Sequence, residues 1–398
     1  MSSATSTALA CASSLSTLES AEDALREAIA AARETLGGRP DLALVFVSPH
    51  HARSADRLAA RACELLGTTN VLGCTGESIV GSGREVEEGP ALSLWLARWP
   101  GVQLTPMHLE FERTPEGGVL EGWPDELASE WAPGSFLLVL GEPFSFPADY
   151  LLERMNEDRP GVAVIGGMAS GAPSPGDNRL ILGPNTHAEG AVALHVSGSV
   201  KLRTVVSQGC RPIGRPLVVT KAERNVIYEL GGKSAFAQLR AIFEALPTSE
   251  QRLVQQALHV GRVVSEYQER FEQGDFLVRN VVGIDGNAGA IAIGDYIRPG
   301  QTIQFHVRDE EAADAELAQL LAAARRESAS PAGGLLFTCN GRGTRMFSQP
   351  NHDAAAIARA FGNLPLAGFF AQGEIGPIGR QNFMHGFTAS IALFEAES

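Results

Sequence analysis

Residues 70–83 read NVLGCTGESIVGSG, and residues 365–379 read PLAGFFAQGEIGPIG. Each runs a short apolar strand into a small or polar turn, then Gly-Glu, an Ile and further glycine. Before the first corner, DLALVFVSP (41–49) is an apolar, partly β-branched run between turn residues, which predicts a buried strand. SADRLAARACELLG (54–67) is an amphipathic helix with Gly67 past its end. Residues 78–98 form a glycine-bearing hairpin and a return strand. Two later segments give the same order. In one, SFLLVLGEP (135–143), ADYLLERMNE (148–157), GVAVIGGMASG (161–171) and the hairpin 178–198 follow each other. In the other, GGLLFTCNGRG (333–343), NHDAAAIARAFG (351–362), the corner and HGFTASIALFEA (385–396) do. Strand, helix, strand, glycine corner and hairpin thus recur, which predicts an internal supersecondary repeat.

The middle reads differently. Residues 215–246 give strands and then a helix, and 276–309 an antiparallel meander turning at DGNAG and RPGQ. DEEAADAELAQLLAAARRE (309–327) is a helix with acids first and arginines last, as its dipole favours. The first residues are Ser/Thr/Ala-rich without a basic region or a strong apolar core, and read as a frayed tail leading into a helix at 19–36. The expected fold class is α/β: two domains of layered mixed sheets with helices, built from strand-helix-strand-hairpin units. Residues 1–37 form a tail and helix, 38–215 an N-terminal domain and 216–398 a C-terminal domain.

Bulk properties narrow the function. A formal net charge of −14 argues against nucleic acid or an anionic membrane as the main partner, since both are polyanions. No stretch is long and apolar enough to span a bilayer. The five cysteines are scattered and form no CxxC pair, so a reducing cytoplasm is expected rather than a disulfide framework. The nine histidines show neither HxH nor HExxH spacing, so no metal and no cofactor are expected. ELGGKSAF imitates a phosphate-binding loop, but Ile227 stands where the first glycine of that motif belongs.

GCTGESI, the meander NVVGIDGNAGAIAIGDYIRPGQTIQFHVRD, CNGRG and GFFAQGEIGPIG, in this order, resemble the FIST family, with its paired N- and C-terminal domains. The likeness covers nearly all of the chain after residue 38. At the usual start of the C-terminal domain, where the family reads LEL-DGxPA, this chain has YELGGKSA (228–235). The resemblance implies a sensory module of signal transduction that binds a small ligand such as an amino acid. No kinase, receiver, cyclase or F-box segment is recognised, so a stand-alone copy with a separate signalling partner is expected.

Glycine corners expose backbone N–H groups that can hold a carboxylate, and equally serve tight strand crossing alone. Glu77 and its apparent counterpart Glu374 are acids inside apolar strand-turns and need partners. Arg342 in CNGRG suits a bidentate contact to a carboxylate, whether a ligand's or that of Glu374. Ligand-binding residues are therefore expected at Cys74, Thr75, Glu77, Asn340, Arg342, Gln372, Gly373 and Glu374, where the corners of the two domains meet. No catalytic residue is assigned. Two other readings remain: an enzyme using Cys339 or a carboxylate in that inter-domain pocket, and a scaffold binding a protein through an apolar face.

Overall fold

Three segments of the chain build the same parallel pair. Leu42–Val47 lies parallel to Val71–Thr75, with Val45 beside Gly73. Phe136–Gly141 lies parallel to Ala163–Met168, and Gly333–Cys339 parallel to Leu366–Ala371. Helices Ala55–Leu66, Ala148–Asp158 and His352–Phe361 make the three crossovers. The first strand of each pair also takes an antiparallel return strand: Leu92–Arg98, Ala191–Gly198 or Ala389–Ala396. Strands covered on both faces read as unbroken apolar runs, which is why LALVFV and FLLVLG show no alternation. This computed structural model describes residues 9–115, 117–268, 270–271, 274–327 and 330–397.

The hairpins are exchanged between repeats. Ile79–Gly81 of the first repeat pairs with Leu366–Ala371 of the third, Val80 opposite Gly368. Leu180–Leu182 of the second pairs with Val71–Thr75 of the first, Ile181 opposite Gly73. Glu374–Ile378 of the third pairs with Ala163–Met168 of the second, Ile375 opposite Gly166. The three exchanges close a ring. Gly73, Gly166 and Gly368 hold the same place in it, and a Cβ there would lie 1.9, 1.8 and 1.8 Å from the carbonyl oxygens of Val45, Val139 and Leu336. Only glycine permits so close a backbone approach. By this register Glu374 is equivalent to Ile79 and Leu180. Its resemblance to Glu77 is one of sequence alone.

The inner faces of the three sheets bury one aromatic cluster that includes Phe46, Trp95, Phe136, Phe337, Phe369 and Phe394. Helices Ala21–Leu36 and Ala55–Leu66 cover the outer face of the first sheet, and Ala148–Asp158 that of the second. The tail reading needs correction. Ala10–Ser16 is a strand in full register with Leu92–Arg98, and Leu15 packs on Gly81. Its Ser/Ala composition carries little apolar signal, so pairing to a strong neighbour decides its state.

Contact density separates two units. One comprises residues 1–206, 318–384 and 388–398, and therefore all three repeats; the other comprises 207–317 and 385–387. The second unit carries the expected meander, Phe276–Asp285, Ala290–Ile293 and Thr302–Arg308, within a seven-stranded sheet. Asp285 closes the DGNAG turn by accepting from the amides of Asn287 and Ala288, both at 2.9 Å. Ile227, Leu230, Ile291, Ile303 and Phe305 form its separate core. Near the two ends of this inserted segment, Ser207 Oγ donates to Glu316 Oε2 at 2.8 Å. The fold class is thus mixed α/β, built from strand-helix-strand-hairpin repeats as the sequence predicts.

Candidate functional site

The corner after Val71–Thr75 rests on a buried polar chain. Thr75 Oγ1 donates to Asn178 Oδ1 at 3.1 Å and accepts from the amide of Arg179 at 3.2 Å. Asn178 Nδ2 donates to Glu142 Oε1 at 3.2 Å. Glu142 is fully buried, and its other oxygen accepts from the amides of Phe144 and Ser145 and from Ser145 Oγ, each at 2.9 Å. A buried carboxylate with this many donors is satisfied. The chain forms the floor of a cleft of about 400 Å³ lined by Arg53, Thr75, Ser170, Asp177, Asn178 and Arg179, among others. Arg179 Nη1 donates to the carbonyls of Gly176 and Asn178 and so fixes the loop above the floor. Gly171, at φ +87°, turns that loop where a Cβ would lie 2.6 Å from Pro49 Cγ. At the rim, the exposed side chains of Arg53 and Asp177 make no hydrogen bond or ion pair among the described residues.

The corners of the three repeats converge beside this cleft. Ser170 Oγ accepts from the amide of Glu77 at 2.7 Å and donates to the carbonyl of Phe370. Glu77 pairs with Arg345, whose Nη1 donates to the carbonyl of Asn340 at 2.9 Å. The amide of Asn340 reaches Ala371 O at 3.0 Å, and that of Gln372 reaches Met168 O at 3.1 Å. The amide of Met168 in turn reaches Gly373 O at 2.8 Å. The amide of Ser170 reaches Thr75 O at 3.1 Å, so Thr75, Glu77, Asn340, Gln372 and Gly373 are gathered in one assembly of hydrogen-bonded corners. Cys74 lies behind it, in the aromatic core, where burial pushes its thiol well above the usual value.

Arg342 and Glu374 sit deeper. Arg342 is wholly buried, and Nε and Nη2 contact the two oxygens of Asp353 at 2.8 and 2.7 Å. Asp353 also accepts from Thr338 Oγ1 at 2.6 Å and touches His352 Nδ1 at 2.8 Å. In the structure the bidentate carboxylate on Arg342 is the internal one of Asp353. Asp353 was not singled out in the sequence, because an acid in a first helical turn is ordinary. Burial alone would raise its carboxyl, but the Arg342 guanidinium holds it well below the usual carboxylate range. Glu374 is fully buried as well; Oε2 accepts from Thr388 N and Oγ1 at 3.1 and 2.7 Å, and the Cys339 thiol also lies against the carboxyl. Burial pushes its carboxyl up to about 8. Burial, aided by the charge of Asp353, does the same to Glu85, also to about 8.

These two raised acids have a pH signature. Both hold protons in the folded state that the unfolded chain releases above the ordinary value of 4.5. Stability should therefore be full below pH 4.5 as far as these groups are concerned, and should fall as pH rises towards about 8. Glu374→Gln keeps the contacts of the neutral acid and should flatten that fall in a thermal-midpoint series. An unchanged slope would mean that Glu374 is ionised when folded. The Asp353 contribution lies on the opposite side. It is present above the ordinary value of 3.8 and is lost as acid protonates the folded form.

Residues 41–233 match the FIST N domain family and residues 235–377 the FIST C domain family. The chain is 43% identical over 382 residues to the uncharacterized protein Rv0628c of Mycobacterium tuberculosis, covering 96% of this chain and 98% of that one. It is 42% identical over 381 residues to the uncharacterized protein Mb0898c of Mycobacterium bovis, covering 95% and 97%. Among the described residues no helix is long and apolar enough to cross a membrane, and no group of three or more His, Cys, Asp or Glu is placed to hold a metal ion.

Proposed function

Because the chain belongs to the FIST family, joining a FIST N domain to a FIST C domain, we propose that it is a sensory module of signal transduction whose signal is a small zwitterion, such as a free amino acid, held in the Thr75 cleft. The supporting observation is the pair of opposite charges at its rim. Arg53 and Asp177 flank a polar floor, and their side chains have no partner among the described residues. A guanidinium offers parallel donors to a ligand carboxylate, and an aspartate accepts from an ammonium. The cleft, at about 400 Å³, lies in the range of small-molecule sites. Ser170 lines the cleft and also bonds Glu77 and Phe370, so occupancy is read through the assembly containing Asn340, Gln372 and Gly373. The five cysteines are scattered along the sequence with no CxxC pair, which accords with a reducing, cytoplasmic setting.

The test is a thermal-shift and calorimetric screen of the free amino acids. A ligand at a hundredfold its dissociation constant should add about 2.7 kcal/mol of stability. Arg53→Ala and Asp177→Asn should each remove the ligand-dependent shift and leave the unliganded midpoint in place, because both side chains are exposed. Shifts that survive both substitutions, or no shift with any amino acid, would reject the reading.

A further inference from the structure

Away from the cleft, the hairpin Val102–Thr114/Gly117–Glu121, the turn after it and helix Ala148–Asp158 enclose a groove of about 870 Å³. Val119, Leu120, Trp123, Trp131, Tyr150 and Met155 line it. The Trp123 and Trp131 rings lie 6.4 Å apart, and Val119 is 47% exposed. Val119 is exposed, Leu120, Trp123, Trp131 and Tyr150 are half-buried, and Met155 is buried, so the groove presents a partly open apolar wall that a partner could cover.

The surrounding charge is mostly negative. Residues 110–130 hold seven acids and a single base, Arg113. Glu110 stands directly opposite Glu121 in the hairpin register, with Glu112 on the diagonal. Like charges so placed destabilise a two-stranded ribbon. Neither Glu112, Glu121, Asp125, Glu126 nor Glu130 has an ion-pair partner among the described residues, and Glu110 meets only His108 at 3.9 Å. The arginines of the groove are already engaged. Arg154 pairs with Glu157 and Asp158 at 3.3 and 2.8 Å. Arg159 donates to the carbonyls of Leu127 and Ser129 at 3.2 and 2.9 Å and lies over the Trp131 ring. Acids that only guarded a sheet edge against aggregation would not require an aromatic groove beside them.

We propose that this groove docks a basic amphipathic segment of a protein partner. Its apolar side chains lie against Trp123, Trp131 and Val119, and its lysines or arginines relieve the Glu110–Glu121 repulsion. Apolar anchors at helical spacing with cations around them match both features of the surface.

The chain has four tryptophans, and Trp95 and Trp99 are sealed in the core, so a change in intrinsic fluorescence on adding a partner reports on Trp123 and Trp131 above a constant background. The intact protein is titrated with a tryptophan-free peptide of about twelve residues with leucines at helical spacing and lysines elsewhere. A saturable emission change is expected, weakening about tenfold between low and moderately high salt. Combining Glu110→Gln, Glu121→Gln and Asp125→Asn should weaken binding by about tenfold or more, and Val119→Ser should weaken it at any salt. Neutralising the equally exposed Glu223, Glu244 and Glu311 instead should leave it unchanged. Equal losses in both triple variants would show general charge attraction and overturn the proposal. So would the absence of a saturable change, or sedimentation showing that the chain self-associates until Val119→Asp separates it, since the occupant would then be a second copy.

Discussion

Expressed alone, residues 1–233 should fail to give a cooperatively folded protein, and residues 235–398 should lack the third repeat's native sheet; co-expressed, the two pieces should recover both. The cut falls between the two family matches, where independent domains would tolerate it. The hairpin exchange forbids that. Residues 1–233 would keep Ile79–Gly81 without its partner strand Leu366–Ala371, and Ala163–Met168 without Glu374–Ile378. The shared core would lose Leu335, Phe337, Phe369 and Phe394, each almost completely buried. At about 2 kcal/mol apiece these four alone account for roughly 8 kcal/mol, comparable with the whole net stability of about 5–15 kcal/mol of an ordinary domain. Directional bonds go as well: Trp95 Nε1 donates to Pro365 O at 3.1 Å, and Ala354 N to Glu85 Oε1 at 2.8 Å. Circular dichroism and a denaturant titration of each piece and of the mixture settle the matter. A sharp transition from residues 1–233 alone would show that the exchanged strands are dispensable.

The repeat was legible because each parallel pair is buried on both faces. LALVFV, FLLVLG and GGLLFTC could not be mistaken for half-exposed strands, and the helices between them end in clear signals such as Gly67 and Gly362. The glycine corners were legible for a related reason, since a residue that must approach a neighbouring carbonyl admits no side chain. What the sequence could not show was which sheet each hairpin joins. Ile79, Leu180 and Glu374 take equivalent places in the exchange, yet an isoleucine, a leucine and a buried acid have nothing in common as residue types. The same gap hid the cleft. Thr75 was expected at the site, but Arg53, Ser170, Asp177 and Asn178 reach it from loops far apart in the chain, and no local pattern links them. The pairing of Ala10–Ser16 was hidden because its partner, rather than its own composition, makes it a strand.

Arg342→Ala should lower the stability of the repeat unit by about 3–5 kcal/mol, because it strands the carboxylate of Asp353 in a dry interior. Both groups are essentially inaccessible, at 0% and 1% side-chain exposure, so water cannot replace the lost partner. Arg342→Lys should restore little, since one ammonium cannot reproduce two donors to the two Asp353 oxygens while the guanidinium's place over Phe347, 5.0 Å from the ring centroid, is lost. The paired change Arg342→Met with Asp353→Leu removes both charges and should recover most of the loss, as well-packed apolar replacements of buried ion pairs do. The readout is the urea midpoint at constant slope, followed across the acid range. In Arg342→Ala the Asp353 carboxyl loses the charge that keeps it ionised, so it should titrate upward and the acid-side loss of stability should shrink or reverse. The same variant separates brace from ligand contact. If its midpoint matches the wild type and only the ligand-dependent shift disappears, Arg342 faces a bound carboxylate after all. If the midpoint drops and the double replacement restores it, the guanidinium holds helix His352–Phe361 against strand Gly333–Cys339 and acts as a brace.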